Sequence, residues 1–167
     1  MGWSEDVLEV LGKHDVGTVA TVPDAGLTGI LNLCDAAPDK EVVTLSTEEE
    51  GVGLLLGLHL GGQRGALFIQ SSGVGNCINA LSVPVSTRTP CVMLVTMRGQ
   101  WGEFNPWQVP MGMATQKVLE AMGVHCYSVE TTDDIAPSFD AACGLAFNGG
   151  LAAAVLIHQR ALGTKVF

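Results

Sequence analysis

The chain carries little charge of any kind and very little that is positive. Asp, Glu, Lys and Arg make up 15 % of its 167 residues, and eight Lys and Arg stand against seventeen Asp and Glu, for a formal net charge of −9. The basic residues are scattered, which makes nucleic acid and acidic membrane surfaces poor partners. No apolar run reaches membrane-spanning length, and Glu5 and Asp6 interrupt the N-terminal stretch too early for a signal peptide. The cysteines (Cys34, Cys77, Cys91, Cys126 and Cys143) are odd in number and form no C-x-x-C pair. A reducing cytoplasm is the compartment this implies, with Cys91 and Cys126 acting as small hydrophobes in buried strands.

Several catalytic signatures are missing as well. His14, His59, His125 and His158 lie at no metal-binding spacing. Without a G-x-S-x-G elbow there is no basis for a serine triad, and there is no P-loop. Gly51-Val52-Gly53 and Gly73-Val74-Gly75 both follow expected strands, but the third position of G-x-G-x-x-G is Leu56 in one and Ile78 in the other. A dinucleotide fingerprint is therefore incomplete in both places.

What the chain does have is apolar character: 47 % hydrophobic residues and a mean hydropathy of +0.35. That suits a sheet covered on both faces together with a subunit interface. Short β-branched runs at Thr18–Val22, Glu41–Ser46, Ala66–Gln70, Cys91–Met97, His125–Glu130 and Ala152–His158 read as strands. Helical patterns at Ser4–His14, Leu27–Ala36, Glu48–Leu60, Gly75–Val85, Ala114–Met122 and Asp133–Phe147 lie between them. Strict alternation predicts an α/β fold, a three-layer α/β/α sandwich around a six-stranded, mostly parallel sheet. No composition break divides residues 1–167, so a single domain is expected. Ligands of such sheets gather beyond the C-terminal strand ends, which draws attention to the loops 23–26, 47–53, 71–76 and 98–112.

The helix start at Glu48-Glu49-Glu50 is the most informative of these. Thr47 as N-cap with Glu50 at N3 makes a capping box. Glu48 and Glu49 either favour the helix dipole or place a carboxylate for a ligand, and a phosphate is the one ligand they disfavour. Gly51, Gly53 and Gly57 inside the helix each cost about 1 kcal/mol relative to alanine, which implies that another helix or a ligand packs against that backbone. The stretch Gln70 to Asn76 is either a polar cradle for a flat ligand or an ordinary turn capped by Ser72. Arg98 opens a loop of about fifteen residues, long for a compact domain, and is placed for an anionic substrate group or a rim salt bridge. Trp101 and Trp107 in that loop point to an interface.

Taken in order, Val22-Pro23-Asp24, the acid-and-glycine helix start from Glu48 to Gly57, the turn Gln70–Asn76, Arg98-Gly99 and the stretch Gln108–Thr115 resemble one family. The chain is similar, from about Val7 to Arg160, to the pyrimidine-binding domain of thiamine-diphosphate-dependent 2-oxoacid decarboxylases, in particular to the forms acting on small anionic 2-oxo acids such as sulfopyruvate and phosphonopyruvate. The resemblance implies that Glu48, nine residues before Gly57, hydrogen-bonds N1′ of the cofactor's aminopyrimidine and favours its imino tautomer, a task suited to a carboxyl in a buried setting. It implies cofactor-binding roles for Ser72, Gly75 and Asn76, and places Asp24 near the reacting carbon. Arg98, with Arg88 as a second choice, is the candidate for the substrate's anionic end.

The family's Gly-Asp-Gly motif, which holds the diphosphate and Mg2+, does not occur in this chain. The resemblance therefore implies an alpha subunit whose active site is completed by a beta subunit carrying that motif, with self-association also expected. Two positions depart from the family pattern: Ser71 stands where an asparagine is usual, and the stretch Gln108–Thr115 around Met113 carries no basic residue. A carboligase using the same residues, or a non-catalytic regulatory subunit of the same fold, are the alternative functions.

Overall fold

Strands that are apolar at nearly every position require cover on both faces. The computed structural model, which describes residues 2–163, provides it. Six strands, β1 (Thr18–Thr21), β2 (Glu41–Thr44), β3 (Gly65–Gln70), β4 (Cys91–Thr96), β5 (His125–Val129) and β6 (Ala152–Ile157), form one sheet in the order β2-β1-β3-β4-β6-β5. Every neighbouring pair is parallel. The two-residue side-chain period then divides each strand between two cores. Ala66 and Phe68 of β3 enter one hydrophobic cluster and Leu67 and Ile69 the other; β4 does the same with Val92 and Leu94 against Met93 and Val95.

Helices α1 (Trp3–Lys13), α2 (Thr28–Ala36) and α7 (Ile135–Gly149) cover the first face, where Phe139 meets Phe68 edge-on at 5.7 Å between ring centroids. Helices α3 (Glu48–Leu60), α4 (Ser71–Cys77) and α6 (Val109–Ala121) cover the second. Two short helices complete the chain's path, α5 (Ser82–Thr87) after α4 and α8 (Gln159–Leu162) after β6. The expected three-layer α/β/α architecture is the observed one. No helix among the described residues is long and apolar enough to cross a membrane.

The helices differ from expectation in three places, all at the C-terminal edge of the sheet, of which the short α8 after β6 is an addition to the expected set. The single helix expected at Gly75–Val85 is two, and the first begins directly at Ser71. Its Ser-Ser-Gly-Val-Gly start is a weak helix former. Packing supplies what propensity lacks, because α4 lies against both α3 and α6. The second difference is α6, which starts at Val109 after a 3-10 turn at Pro106–Gln108, so the loop after β4 is shorter than expected. Pro110 there sits in the first helical turn, where a missing N–H costs nothing and the fixed φ suits the helix.

The chain runs from β1 outward through α2 to the edge strand β2, then returns through α3 to β3 on the other side of β1. This reversal opens a crevice between the C-terminal ends of β1 and β3, the position where open α/β sheets bind ligands.

Candidate active site

The crevice is lined by residues that the strand ends deliver. Asp24 follows β1 in extended backbone and caps a short 3-10 turn, its Oδ2 accepting from the Gly26 N–H at 3.0 Å. The same carboxylate accepts from the Gln70 carboxamide at 2.7 Å, on Oδ1, and from the Thr96 hydroxyl at 3.0 Å, on Oδ2. Gln70 is the last residue of β3, and its Oε1 accepts from the Ser72 hydroxyl at 2.7 Å. Three strand ends are thus joined by side chains around one acidic group.

Glu48 stands at the first position of α3 with Thr47 as N-cap. Its Oε2 accepts from the Asn76 carboxamide at 2.7 Å. Its carboxyl lies against the backbone of Gly73, where a Cβ would come within 2.4 Å of Glu48 Cγ, Cδ and Oε1. A glycine is required there by close approach rather than by backbone conformation. Gly73→Ala therefore displaces the half-buried Glu48 side chain from its bond with Asn76, while alanine favours the helix. The expected result is an unchanged or slightly raised melting temperature with turnover down about tenfold or more. Thermal unfolding and steady-state assays on the same preparation check both halves.

The three glutamates separate as the geometry dictates. Glu50 Oε2 accepts from the Ser46 N–H at 2.9 Å, one residue before the expected capping-box partner, and the Thr47 side chain makes no cap bond. Glu49 is exposed. Of the helix glycines, Gly51 alone is pressed against the fold, where a Cβ would meet Leu67 and Leu45 at 2.5 and 2.9 Å; Gly53 and Gly57 face open space. Gly75, on the far side of α4, has Met111 of α6 at 3.3 Å from a Cβ position.

Arg98 is placed at the end of β4 as expected, but its guanidinium is buried and paired. Nε and Nη2 donate to the two oxygens of Glu103 at 2.7 and 2.5 Å. Glu103 also accepts from the backbone of Gly99 and Asn105 and from the Gln159 carboxamide. Gln159 in turn accepts from the Gln100 and Trp101 N–H groups, tying the loop to α8. The Arg98 bonds, opposed in part by burial, hold the Glu103 carboxyl down at about 2. Its contribution to stability is present in full above its ordinary value of 4.5 and is lost as pH falls from there towards 2. Glu103→Gln leaves Arg98 buried without its charge partner. The expected loss is about 3 kcal/mol of stability at neutral pH, with a shallower fall in melting temperature between pH 4.5 and 2 than in the parent. Calorimetric scans across that range measure it.

The locked loop presents Trp101, Phe104 and Trp107 to solvent, Trp107 at 76 % exposure, and the first turns of α6 add Met113. These four are the greater part of the exposed large hydrophobics among the described residues. All five cysteines are free thiols. Burial pushes Cys77, Cys91, Cys126 and Cys143 up to about 12 and Cys34 to about 11, values of inert thiols. Among the described residues no group of three or more His, Cys, Asp or Glu comes together as a metal site.

Asn76 of α4 bonds Glu48, and Ser72, at the start of the same helix, is joined through Gln70 to Asp24. Arg98 is turned toward Glu103. Thr96, Glu103 and Gln159 are missing from the sequence-based set; their partners lie 72, 5 and 56 residues away, and no local pattern marks them.

No protein-family model matches the chain. The alpha subunit of sulfopyruvate decarboxylase from Methanococcus maripaludis is 34 % identical over 158 residues, which are 94 % of this chain and 95 % of that subunit. This chain belongs to the sulfopyruvate decarboxylase alpha-subunit family. A second alpha subunit, from Methanothermobacter thermautotrophicus, is 38 % identical over 116 residues, covering 68 % of this chain and 70 % of the subunit. Phosphonopyruvate decarboxylase of Streptomyces viridochromogenes is 35 % identical over 141 residues, but the match spans only 35 % of that enzyme's length. The fold of this family is shared by benzoylformate decarboxylase from Polynucleobacter necessarius, at a TM-score of 0.72 and 18 % identity over 99 % of this chain and 31 % of the other. It is also shared by 2-oxoglutarate:ferredoxin oxidoreductase from Magnetococcus marinus, at a TM-score of 0.73 and 15 % identity. The relatives are named as decarboxylases, and the one that matches almost end to end is named as an alpha subunit.

Proposed function

We propose that this chain is the pyrimidine-binding alpha subunit of a thiamine-diphosphate-dependent decarboxylase for a small anionic 2-oxo acid such as sulfopyruvate or phosphonopyruvate. The observation that carries the reading is the Glu48 carboxylate, laid over a glycine that leaves it room and held by Asn76 at the ligand-binding edge of the sheet. The donor set fits the pyrimidine end of the cofactor: a carboxyl, a hydroxyl and a carboxamide stand beside a helix surface bare of a side chain at Gly73. It does not fit the diphosphate end, since Glu48, Glu49 and Glu50 repel phosphate and Arg98 is taken by Glu103. We therefore assign the diphosphate and Mg2+ to a partner subunit or domain carrying Gly-Asp-Gly.

When bound, thiamine diphosphate supplies a thiazolium that takes up the electron pair released with carbon dioxide. The chain's own groups govern the proton. Asn76 claims Oε2 of Glu48, so the proton is held and passed at Oε1. In the single chain this carboxyl is half-exposed, and a partner closing over the crevice supplies the burial that such proton sharing needs. The apolar loop of Trp101 and Trp107, and the outward side of α3 with Gly53, Gly57 and Leu60, are surfaces fit for that partner.

Assay of the chain with a Gly-Asp-Gly partner, thiamine diphosphate and Mg2+ against a panel of 2-oxo acids tests the reading. Carbon dioxide release from sulfopyruvate or phosphonopyruvate by the pair, and not by the chain alone, is expected. A competent partner complex that binds the cofactor yet decarboxylates none of the panel sinks it.

A further inference from the structure

The two carboxylates of the site set the hydrogen-bond direction of the residues between them. Asp24 accepts from an amide N–H, a carboxamide and a hydroxyl. A carboxylate acts as acceptor only, so the group 2.7 Å from its Oδ1 must be the Gln70 NH2; the flipped carboxamide would set two acceptor oxygens against each other. With its nitrogen committed to Asp24, Gln70 offers its oxygen to Ser72. The Ser72 hydroxyl must then spend its one proton on that oxygen at 2.7 Å, which leaves only lone pairs for a ligand. Asn76 repeats the pattern from the other end: its NH2 is drawn to Glu48 Oε2 and its carbonyl oxygen is turned away.

We infer that Gln70 is a positioning residue that, by giving its nitrogen to Asp24, makes Ser72 an acceptor, so that Ser72 and the Asn76 carbonyl oxygen receive a hydrogen-bond donor, an amine or hydroxyl, rather than the anionic end of the substrate. The inference rests on the proposed function for the identity of the ligand, but the polarity itself rests on the hydrogen bonds alone. It assigns Ser72 and Asn76 to the amino-bearing side of the cofactor, and the sulfonate or phosphonate to groups elsewhere.

Two substitutions of Gln70 in the two-chain complex separate positioning from mere support. Gln70→Glu keeps the acceptor toward Ser72 but sets a second carboxyl against Asp24. The pair then shares a proton, and the acid limb of the kcat/KM profile moves up by about one pH unit or more. Gln70→Met keeps the length and cuts both bonds. Its kcat falls about tenfold or more, with KM within about threefold and a melting temperature within about 3 °C of the parent. An unmoved acid limb in Gln70→Glu, or full kcat in Gln70→Met, overturns the inference.

If the parent complex takes up no thiamine diphosphate in calorimetry, the functional reading fails instead, and the polarity is still decided in the full chain by nuclear magnetic resonance. The Gln70 side-chain NH2 signals should follow the titration of Asp24 and lose that response in Asp24→Asn. Gln70 signals indifferent to Asp24 overturn the inference.

Discussion

Glu48→Gln, assembled with its partner, is expected to lose about two orders of magnitude or more in turnover, equivalent to about 2.7 kcal/mol of transition-state stabilisation. Glutamine matches glutamate in size, so it fits over Gly73 and its oxygen still accepts from Asn76 in place of Oε2. What it lacks is a proton that can be held and released at the second oxygen. Assembly and melting temperature should therefore match the parent, because the carboxyl is half-exposed and supports no buried charge pair. A variant that assembles, binds the cofactor and keeps turnover within a few-fold of the parent would remove Glu48 from proton transfer. Gly73→Ala offers an independent approach to the same carboxyl, moving it without changing its chemistry; concordant losses in the two variants separate position from charge.

Gly112→Ala should cost about as much stability as Glu103→Gln, by a different route. A Cβ at Gly112 would lie 1.9 Å from the carbonyl oxygen of Arg98, 2.8 Å from its carbonyl carbon and 3.1 Å from the Cα of Gly99. These are backbone atoms, and they are not free to move. Arg98 N–H is held by the Ser71 hydroxyl at 3.0 Å, and its side chain is clamped by Glu103. The start of α6 must shift away from the loop, at a cost of about 3 kcal/mol, or about 10 °C for a domain of this size. Met111 moves with it and leaves Gly75, so α4 and the Asn76 bond to Glu48 are disturbed as well. Cofactor affinity of the complex should fall along with the melting temperature. A melting temperature within about 2 °C of the parent shows that the loop yields, and that the Arg98–Glu103 clamp is softer than its geometry suggests.

The contrast between these two sites shows what local reading can reach. Glu48 was accessible from the sequence because its setting is local: a strand end, an N-cap and a helix run consecutively from Thr44 through Thr47 to Leu60. Gly112 was not, since its demand comes from a carbonyl fourteen residues earlier, brought close only by the turn of the loop. The same distinction explains the α4 helix. Ser71 to Gly75 has the composition of a turn, and it is helical because α3 and α6 lie against it. The helix glycines were half legible: their cost implies close packing, which holds for Gly51 and fails within this chain for Gly53 and Gly57.

By itself the sequence determined the six strands, the burial of the four inner ones, β1, β3, β4 and β6, and most of the helices between them, because periodicity and β-branching act over a few consecutive residues; β2 and β5 are partly exposed because they are the sheet's edges. It also determined that the acid at the start of α3 lies at the ligand-binding edge of a parallel sheet. Only the tertiary structure decided which of the polar groups at that edge meet. Asp24 finds Gln70 and Thr96 across 46 and 72 residues, and Arg98 is withdrawn into a clamp with Glu103. Such partners are fixed by strand order and loop path, which join residues distant in the chain, and hydrogen-bond direction follows only once both partners are in place.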